Sequence, residues 1–275
     1  MAIVIDGNNT PTAGGIGYGD GTELAFTTAG TSGRPVVSGG AGAPTFRPYT
    51  LPAADGSASQ VLQTDGAGAL SFATVGGGFS QAQIFTGSGS FTVPASGKFK
   101  VTIIGGGGSG ACSSSGTVGP GSGAGGGTVI KWFTGATPAA TATITIGAGG
   151  AGKSTAGNGN VGGNSTFVLS GFTTLTASGG AGGLGAGSGP SAGGSAVNGD
   201  INSRGQNGSP NVLADDNGTN SQVGFAGSTL LGFGRVDMRN INSTGVAGEY
   251  GAGSCGRYNS NSTGAGGDGI CIVES

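Results

Sequence analysis

Glycine tracts, long and irregular, decide what this chain can fold into. Of its 275 residues, 68 are glycine, against an ordinary usage of about 7%. Each ordered residue costs about 1–2 kcal/mol of backbone entropy, and glycine has the most freedom to lose. The tracts at 105–127, 147–164, 179–199 and 245–269 must therefore stay loose or pack in a way only glycine permits. Collagen needs glycine at every third position, and Gly147, Gly149, Gly150 and Gly152 break that period. A flexible linker fits poorly, because strand-like runs flank each tract. Extended rods of the polyglycine-II kind fit better: three residues per turn, no hydrogen bond inside a rod. Without a Cβ, neighbouring rods approach closely enough for N–H···O and Cα–H···O bonds between them.

The flanking runs have the period of strands. Phe99, Val101 and Ile103 alternate with Lys98, Lys100 and Thr102, and Ile144 and Ile146 alternate with threonines. Further strands are expected at Gln83-Ile84-Phe85, Ser90–Val93, Thr128–Phe133, Phe167-Val168-Leu169, Phe172–Thr176 and Ile270–Val273. No window carries a 3.6-residue period. Residues 77–275 thus read as a glycine-rich β-sandwich whose final strand is the C-terminus. Residues 1–76 read differently. Thr31–Phe46 aligns without gaps on Ser57–Phe72, with Gly40-Ala41-Gly42-Ala43 and Phe46 matching Gly66-Ala67-Gly68-Ala69 and Phe72. Each copy is strand, glycine turn, strand. Such a unit is too thin to bury its own apolar face and must stack on neighbours or other chains. The expected fold class is all-β: a repetitive N-terminal fibre shaft (1–76) followed by a glycine-rich sandwich with polyglycine-II helices (77–275).

Charge and residue usage narrow the function. Charged residues are only 8% of the chain and hydrophobic ones 35%, unlike a disordered segment. Net charge is −2 with scattered Lys and Arg, so no nucleic-acid partner is expected. No apolar run approaches membrane-spanning length, and the N-terminus does not read as a secretion signal. Histidine is absent, which removes the commonest general base and metal ligand. Cys112, Cys255 and Cys271 are too far apart for a CxxC pair; Cys271 sits in an apolar run and reads as a small core residue.

Gly147–Ser154 matches the phosphate-loop pattern GxxxxGK[ST]. That loop needs a helix starting at its lysine, and Thr155-Ala156-Gly157-Asn158-Gly159-Asn160 cannot start one. Asp215-Asp216-Asn217 reads as a turn in preference to a calcium site. No catalytic residue, cofactor or metal site is assigned; acidic residues in 77–275 are few and none sits in a recognisable motif. Charges and aromatics scarce elsewhere gather in 200–258. Arg204, Phe225, Phe233, Arg235, Arg239, Tyr250, Arg257 and Tyr258 are the candidate contact residues, since loops on a rigid scaffold commonly carry binding.

Leu51-Pro52-Ala53-Ala54-Asp55-Gly56, Gln60–Gly66, Leu70-Ser71-Phe72 and Gly19–Phe26 resemble repeats of phage tail fibre proteins. Phe91–Pro94, Val101–Gly108, Thr145–Gly152, Ala177–Gly183 and Gly266–Glu274 resemble the glycine-rich tip of phage tail fibres and adhesins. The resemblance implies a homotrimeric, non-enzymatic virion component, made in the host cytoplasm. It implies attachment to other tail or baseplate proteins through the N-terminus. In adhesins of the T-even type, a polyglycine-II core displays loops that bind outer-membrane receptors, so a host protein or glycan is the expected partner. The other readings are a fibre or cap protein without a receptor, and a depolymerase.

Overall fold

The structure, a computed structural model, describes residues 12–58, 60–74, 79, 81–113, 119–185, 189–210, 224–234, 236–237, 247–258 and 262–275. It is all-β: no helix occurs among the described residues. The chain divides into two compact units, Met1–Gly77 and Gly78–Ser275.

The first unit is three antiparallel hairpins: β1 (Gly17–Gly19) with β2 (Leu24–Phe26), β3 (Val36–Gly39) with β4 (Gly42–Phe46), and β5 (Gln60–Thr64) with β6 (Leu70–Thr74). The sequence repeat recurs in contacts. A Cβ on Gly30 would strike the Phe46 ring and one on Gly56 the Phe72 ring, at matching positions of the two copies. Asp20 Oδ1 accepts the N–H groups of Thr22 and Glu23, and Asp65 Oδ1 those of Ala67 and Ala69. These backbone donors hold both carboxyls below their ordinary 3.8. None of the described residues of this unit is buried.

The second unit holds two five-stranded antiparallel sheets. The first runs β16 (Ile201–Ser203), β11 (Thr128–Phe133), β9 (Phe99–Ile104), β20 (Ile270–Glu274), β7 (Ala82–Phe85). The second runs β15 (Ala196–Val197), β14 (Leu175–Ala177), β13 (Ser165–Val168), β12 (Thr141–Thr145), β8 (Gly89–Thr92). One core fills the space between them: Phe91, Phe99, Phe133 and Phe167 with Val101, Ile103, Ile144, Leu175 and Val273. The Phe99 and Phe133 rings stack at 4.6 Å, and Phe91 and Phe167 tilt against them. The alternation in Lys98–Ile104 therefore marks the core face, and the C-terminal strand lies inside its sheet. The Phe172–Thr176 run forms a strand only from Leu175, because Gly171 at φ +83° turns the chain and Phe172 donates its N–H to Leu169. The short edge strands β15 and β16 have too few residues to show a period.

Beyond the strands the described parts of the glycine tracts continue as extended segments bonded chiefly to neighbouring extended segments. In the tract 105–112, Gly105, Gly108 and Ala111 donate to Gly127, Ala124 and Gly121. Gly106, Ser109 and Cys112 donate to Gly163, Asn160 and Gly157, while Gly107 and Gly110 turn to Gly267 and the Ser254 hydroxyl. The tract 121–127 behaves alike: Gly121, Ala124 and Gly127 donate to Leu184, Ala181 and Ser178; Ser122 and Gly125 to Ser209 and Gln206; Gly123 and Gly126 to Ser254 and Gly251. The direction of donation repeats every third residue. All residues from Val101 to Ser113 and from Gly119 to Val129 are buried. Two-residue pairings join the tracts locally: β10 (Cys112–Ser113) with β19 (Arg257–Tyr258), parallel, and β17 (Gly224–Phe225) with β18 (Val236–Asp237).

Close approach explains the glycine. A Cβ on Gly108 would lie 2.0 Å from the Ala181 carbonyl oxygen, whereas one on Gly87 meets nothing within 4 Å. Gly108→Ala should lower Tm by roughly 10 °C, about 3 kcal/mol of overpacking, and Gly87→Ala should leave it unchanged; calorimetry on both variants checks this. In the first unit, the two depressed aspartates give stabilisation that is complete above 3.8 and lost as pH falls through their lower folded values. NMR shifts of the Thr22, Glu23, Ala67 and Ala69 amides should follow that loss, and Asp20→Asn with Asp65→Asn should flatten the profile.

Candidate functional site

Rods that run away from the strands must turn back, and the turns are where side chains can be displayed. The register of hydrogen bonds gives two ends. Gly105, Gly127 and Gly251 lie at the strand end; Ala111, Gly121 and Arg257 lie at the far end. Six residues of extended chain separate them, about 20 Å. The described flanks of five connections meet at the far end: Ser113 and Gly119, Lys153 and Gly157, Gly185 and Gly189, Pro210 and Gly224, Tyr258 and Ser262. Two turns, at Thr229–Gly232 and Glu249–Gly251, close the rods at the strand end.

The Thr229 turn is the most strongly displayed apolar feature. Thr229 N–H donates to Gly232 O, Gly232 N–H donates back to Thr229 Oγ1 (both 2.8 Å), and Thr229 Oγ1 donates to Tyr250 O at 2.8 Å. Gly234 N–H donates to Ser228 Oγ. A Cβ on Gly232 would lie 2.0 Å from Glu249 O, so glycine lets the two turns abut. Between these anchors Leu230, Leu231 and Phe233 point outward, Phe233 with 85% of its surface exposed. Tyr250, half-exposed with φ +40°, rims a shallow cleft of about 410 Å³ with Thr86, Glu249 and Asp268.

The structure brings Phe233 and Tyr250 together and separates the rest. Arg204 is exposed at the strand end; its Nε donates to Gly193 O at 3.1 Å, and it lines a cleft of about 530 Å³ with Val161, Ser178, Ser195 and Asn202. Phe225 is exposed nearer the far end, its N–H donating to Ser209 Oγ. Arg257 departs from the expectation of an exposed contact: it is 6% exposed, and its N–H donates to Ala111 O inside the bundle. The Tyr258 backbone pairs with Ser113; its side chain, with Arg235, Arg239 and Asp215-Asp216-Asn217, lies outside the described residues.

Polar side chains within the tracts carry a role that the sequence did not disclose. Gly179 N–H donates to Asn164 Oδ1, Gly185 N–H to Asn158 Oδ1 and Gly193 N–H to Asn207 Oδ1. Buried Ser109 and Ser254 bridge rods in the same way. Their signal was position: Ser and Asn interrupting glycine, where an oxygen takes the place of a neighbour's carbonyl. The phosphate-loop match is absorbed into this bonding. Gly147 donates to Ser165 Oγ, Gly149 to Asp268 Oδ1, Gly150 to Gly107 O and Lys153 to Thr263 Oγ1, with no helix after Lys153.

Ionisable groups of the sandwich are structural. Trp132 N–H donates to Asp200 Oδ2 at 2.8 Å and, with Lys131 Nζ 3.4 Å from Oδ1, holds the carboxyl below its ordinary value. Burial pushes the Cys271 thiol up to about 12, so it stays protonated and packs as an apolar side chain. Among the described residues no group of three or more metal-ligating side chains gathers, and no helix is long and apolar enough to cross a membrane.

The second unit, a sandwich whose ends open into glycine tracts, matches a model of a glycine-rich domain over residues 84–275, most of the chain. The chain belongs to that glycine-rich domain family. No curated protein matches it.

Thr229→Val removes one donor and one acceptor from the turn while keeping its shape. Amide exchange at Gly232 should rise about tenfold, as expected for a lost hydrogen bond of about 1.4 kcal/mol, with the exchange of core β9 amides unchanged; mass-resolved hydrogen exchange reads both.

Proposed function

We propose that the chain is a bacteriophage tail fibre protein whose glycine-rich unit adheres to a receptor on the host surface. One observation carries the reading: among the described residues, extended tracts hydrogen-bond chiefly to neighbouring extended segments, and in the tracts 105–112 and 121–127 the direction of donation repeats every third residue. Packed polyglycine-II helices would bond in this way. Such rods fix their turns before any partner arrives, which lowers the ordering cost of binding. Phe233, Leu230 and Tyr250 are then an apolar contact on a rigid support, the kind of surface that dominates recognition of proteins and sugars.

In this reading the first unit is a piece of trimeric fibre shaft. A lone two-stranded hairpin is at best marginal in water, and these hairpins bury no described residue in the single chain. Stacking among three copies would supply the missing burial and attach the tip to tail or baseplate proteins through the N-terminal region. Three tips on one shaft would add weak contacts into firm attachment. The activity is adhesion, without bond chemistry; the receptor is an outer-membrane protein or glycan.

Fluorescently labelled full-length chain tests this on cells of the bacterium that the parent phage infects. Saturable binding is expected, falling at least tenfold in the Leu230→Ser, Phe233→Ser double variant at unchanged Tm. Absence of saturable binding at micromolar chain would sink the adhesion reading in favour of a purely structural fibre part. Sugar released from host envelope by the purified chain would replace it with a depolymerase.

A further inference from the structure

The two outer faces of the sandwich differ in chemistry. On the second sheet the outer-face rows are mostly hydroxyl, Thr141 with Thr92, Thr143 with Ser90, Thr145 with Thr166 and Thr166 with Thr176, and they end in half-exposed Val168 and Val197. Such a hydroxyl face is what an antiparallel sheet shows to water. On the first sheet one transverse row runs in register through all five strands: Ile201, Ile130, Thr102, Ile272, Ile84. Ile84 is 63% exposed and Ile201 49%. The next row adds Trp132, 45% exposed, opposite Lys100. Toward the rods, Ile104 on the same face lies under Gly251 and Thr229, so the Leu230 turn and Tyr250 continue the apolar surface.

The charges inside these rows, Lys100 and Glu274, pair with each other, and exposed Lys98 lies beyond them. Lys100 Nζ is 2.6 Å from Glu274 Oε2 and 6.0 Å from the Trp132 ring centroid. Covering the face would bury a closed ion pair, which costs less than an open charge. Five strands of three to six residues, at about 3.3 Å per residue and about 4.8 Å apart, give roughly 400 Å². The adjoining turns extend that toward the roughly 800 Å² per partner of a stable interface.

We infer that this isoleucine face is where the second unit docks on another copy of the same chain. The inference rests on the multimeric shaft proposed above. Hairpins that need other copies keep those copies tethered at high effective concentration, so the nearest apolar partner for the face is a copy. A bilayer surface fits less well, because it would draw on basic residues, and the chain has net charge −2.

Trp132 is the only tryptophan in the chain and lies on this face. The full-length protein at micromolar concentration is therefore compared with Ile84→Lys, Ile201→Lys, two exposed positions whose change should leave folding intact by circular dichroism. Sedimentation reports mass, and acrylamide quenching reports access to Trp132. A multimer in which Trp132 is shielded, and at least threefold more quenchable in the double variant at the same mass, supports the face as an interface between copies. A wild-type multimer with Trp132 as accessible as in the variant, or shielding that persists in the variant, overturns the face while the multimer stands. A wild-type mass of one chain overturns both.

Discussion

The backbone N–H···O bond between neighbouring glycine tracts is the interaction on which the second unit depends. In a strand or helix, regular secondary structure satisfies the amides. Here no tract can satisfy its own, since an extended chain has no internal partner. Each of Gly105, Gly106 and Gly107 finds a different neighbouring tract. A buried amide left without a partner costs about 1–3 kcal/mol, so removing any tract would strand donors in at least two others. The bundle is cooperative for that reason, and the entropy given up by so many glycines is recovered only when all tracts are present.

That same requirement explains where other residues enter. A Cβ is accommodated at some tract positions, as at Ala111, Ala124 and Ala252, each fully buried. Side-chain oxygens enter where a neighbour's carbonyl is missing: Ser109, Ser254, Asn158, Asn164 and Asn207 complete bonds that glycine alone could not. Larger side chains are pushed to the turns. Leu230, Leu231 and Phe233 are exposed because the rods have no room for them, and the Thr229 bonds keep their turn in one shape.

The sequence disclosed these levels unequally. Strand pattern was plain because Lys98–Ile104 and Thr141–Ile146 alternate with period two, and Phe99, Val101, Ile103 and Ile144 are core residues. The repeat Thr31–Phe46 against Ser57–Phe72 was legible because its glycine and phenylalanine contacts are local. The grouping of Arg204, Phe225, Phe233, Tyr250 and Arg257 was not. Proximity in sequence says nothing about which end of a rod a residue occupies, and the bundle places Arg257 beside Ala111, inside, and Tyr250 beside Gly126, at the other end. The isoleucine row was equally hidden, since it is assembled from five strands between residues 84 and 272 and appears only once their register is known.

The two units therefore meet one physical demand by different means. Inside the second unit, polar backbone is satisfied by rods and apolar surface by a phenylalanine core, so a single chain is nearly self-sufficient there. The exception is the isoleucine face, which is more apolar than the mostly hydroxyl outer face of the other sheet. The first unit satisfies its backbone through hairpins but buries none of its described residues. Both deficits are apolar, and both lie on sheet surfaces, where a partner adds burial without new backbone bonds. A multimer of the proposed kind would answer the two deficits together, and the Thr229 turn, which adjoins the isoleucine face through Ile104, would lie at the edge of that contact.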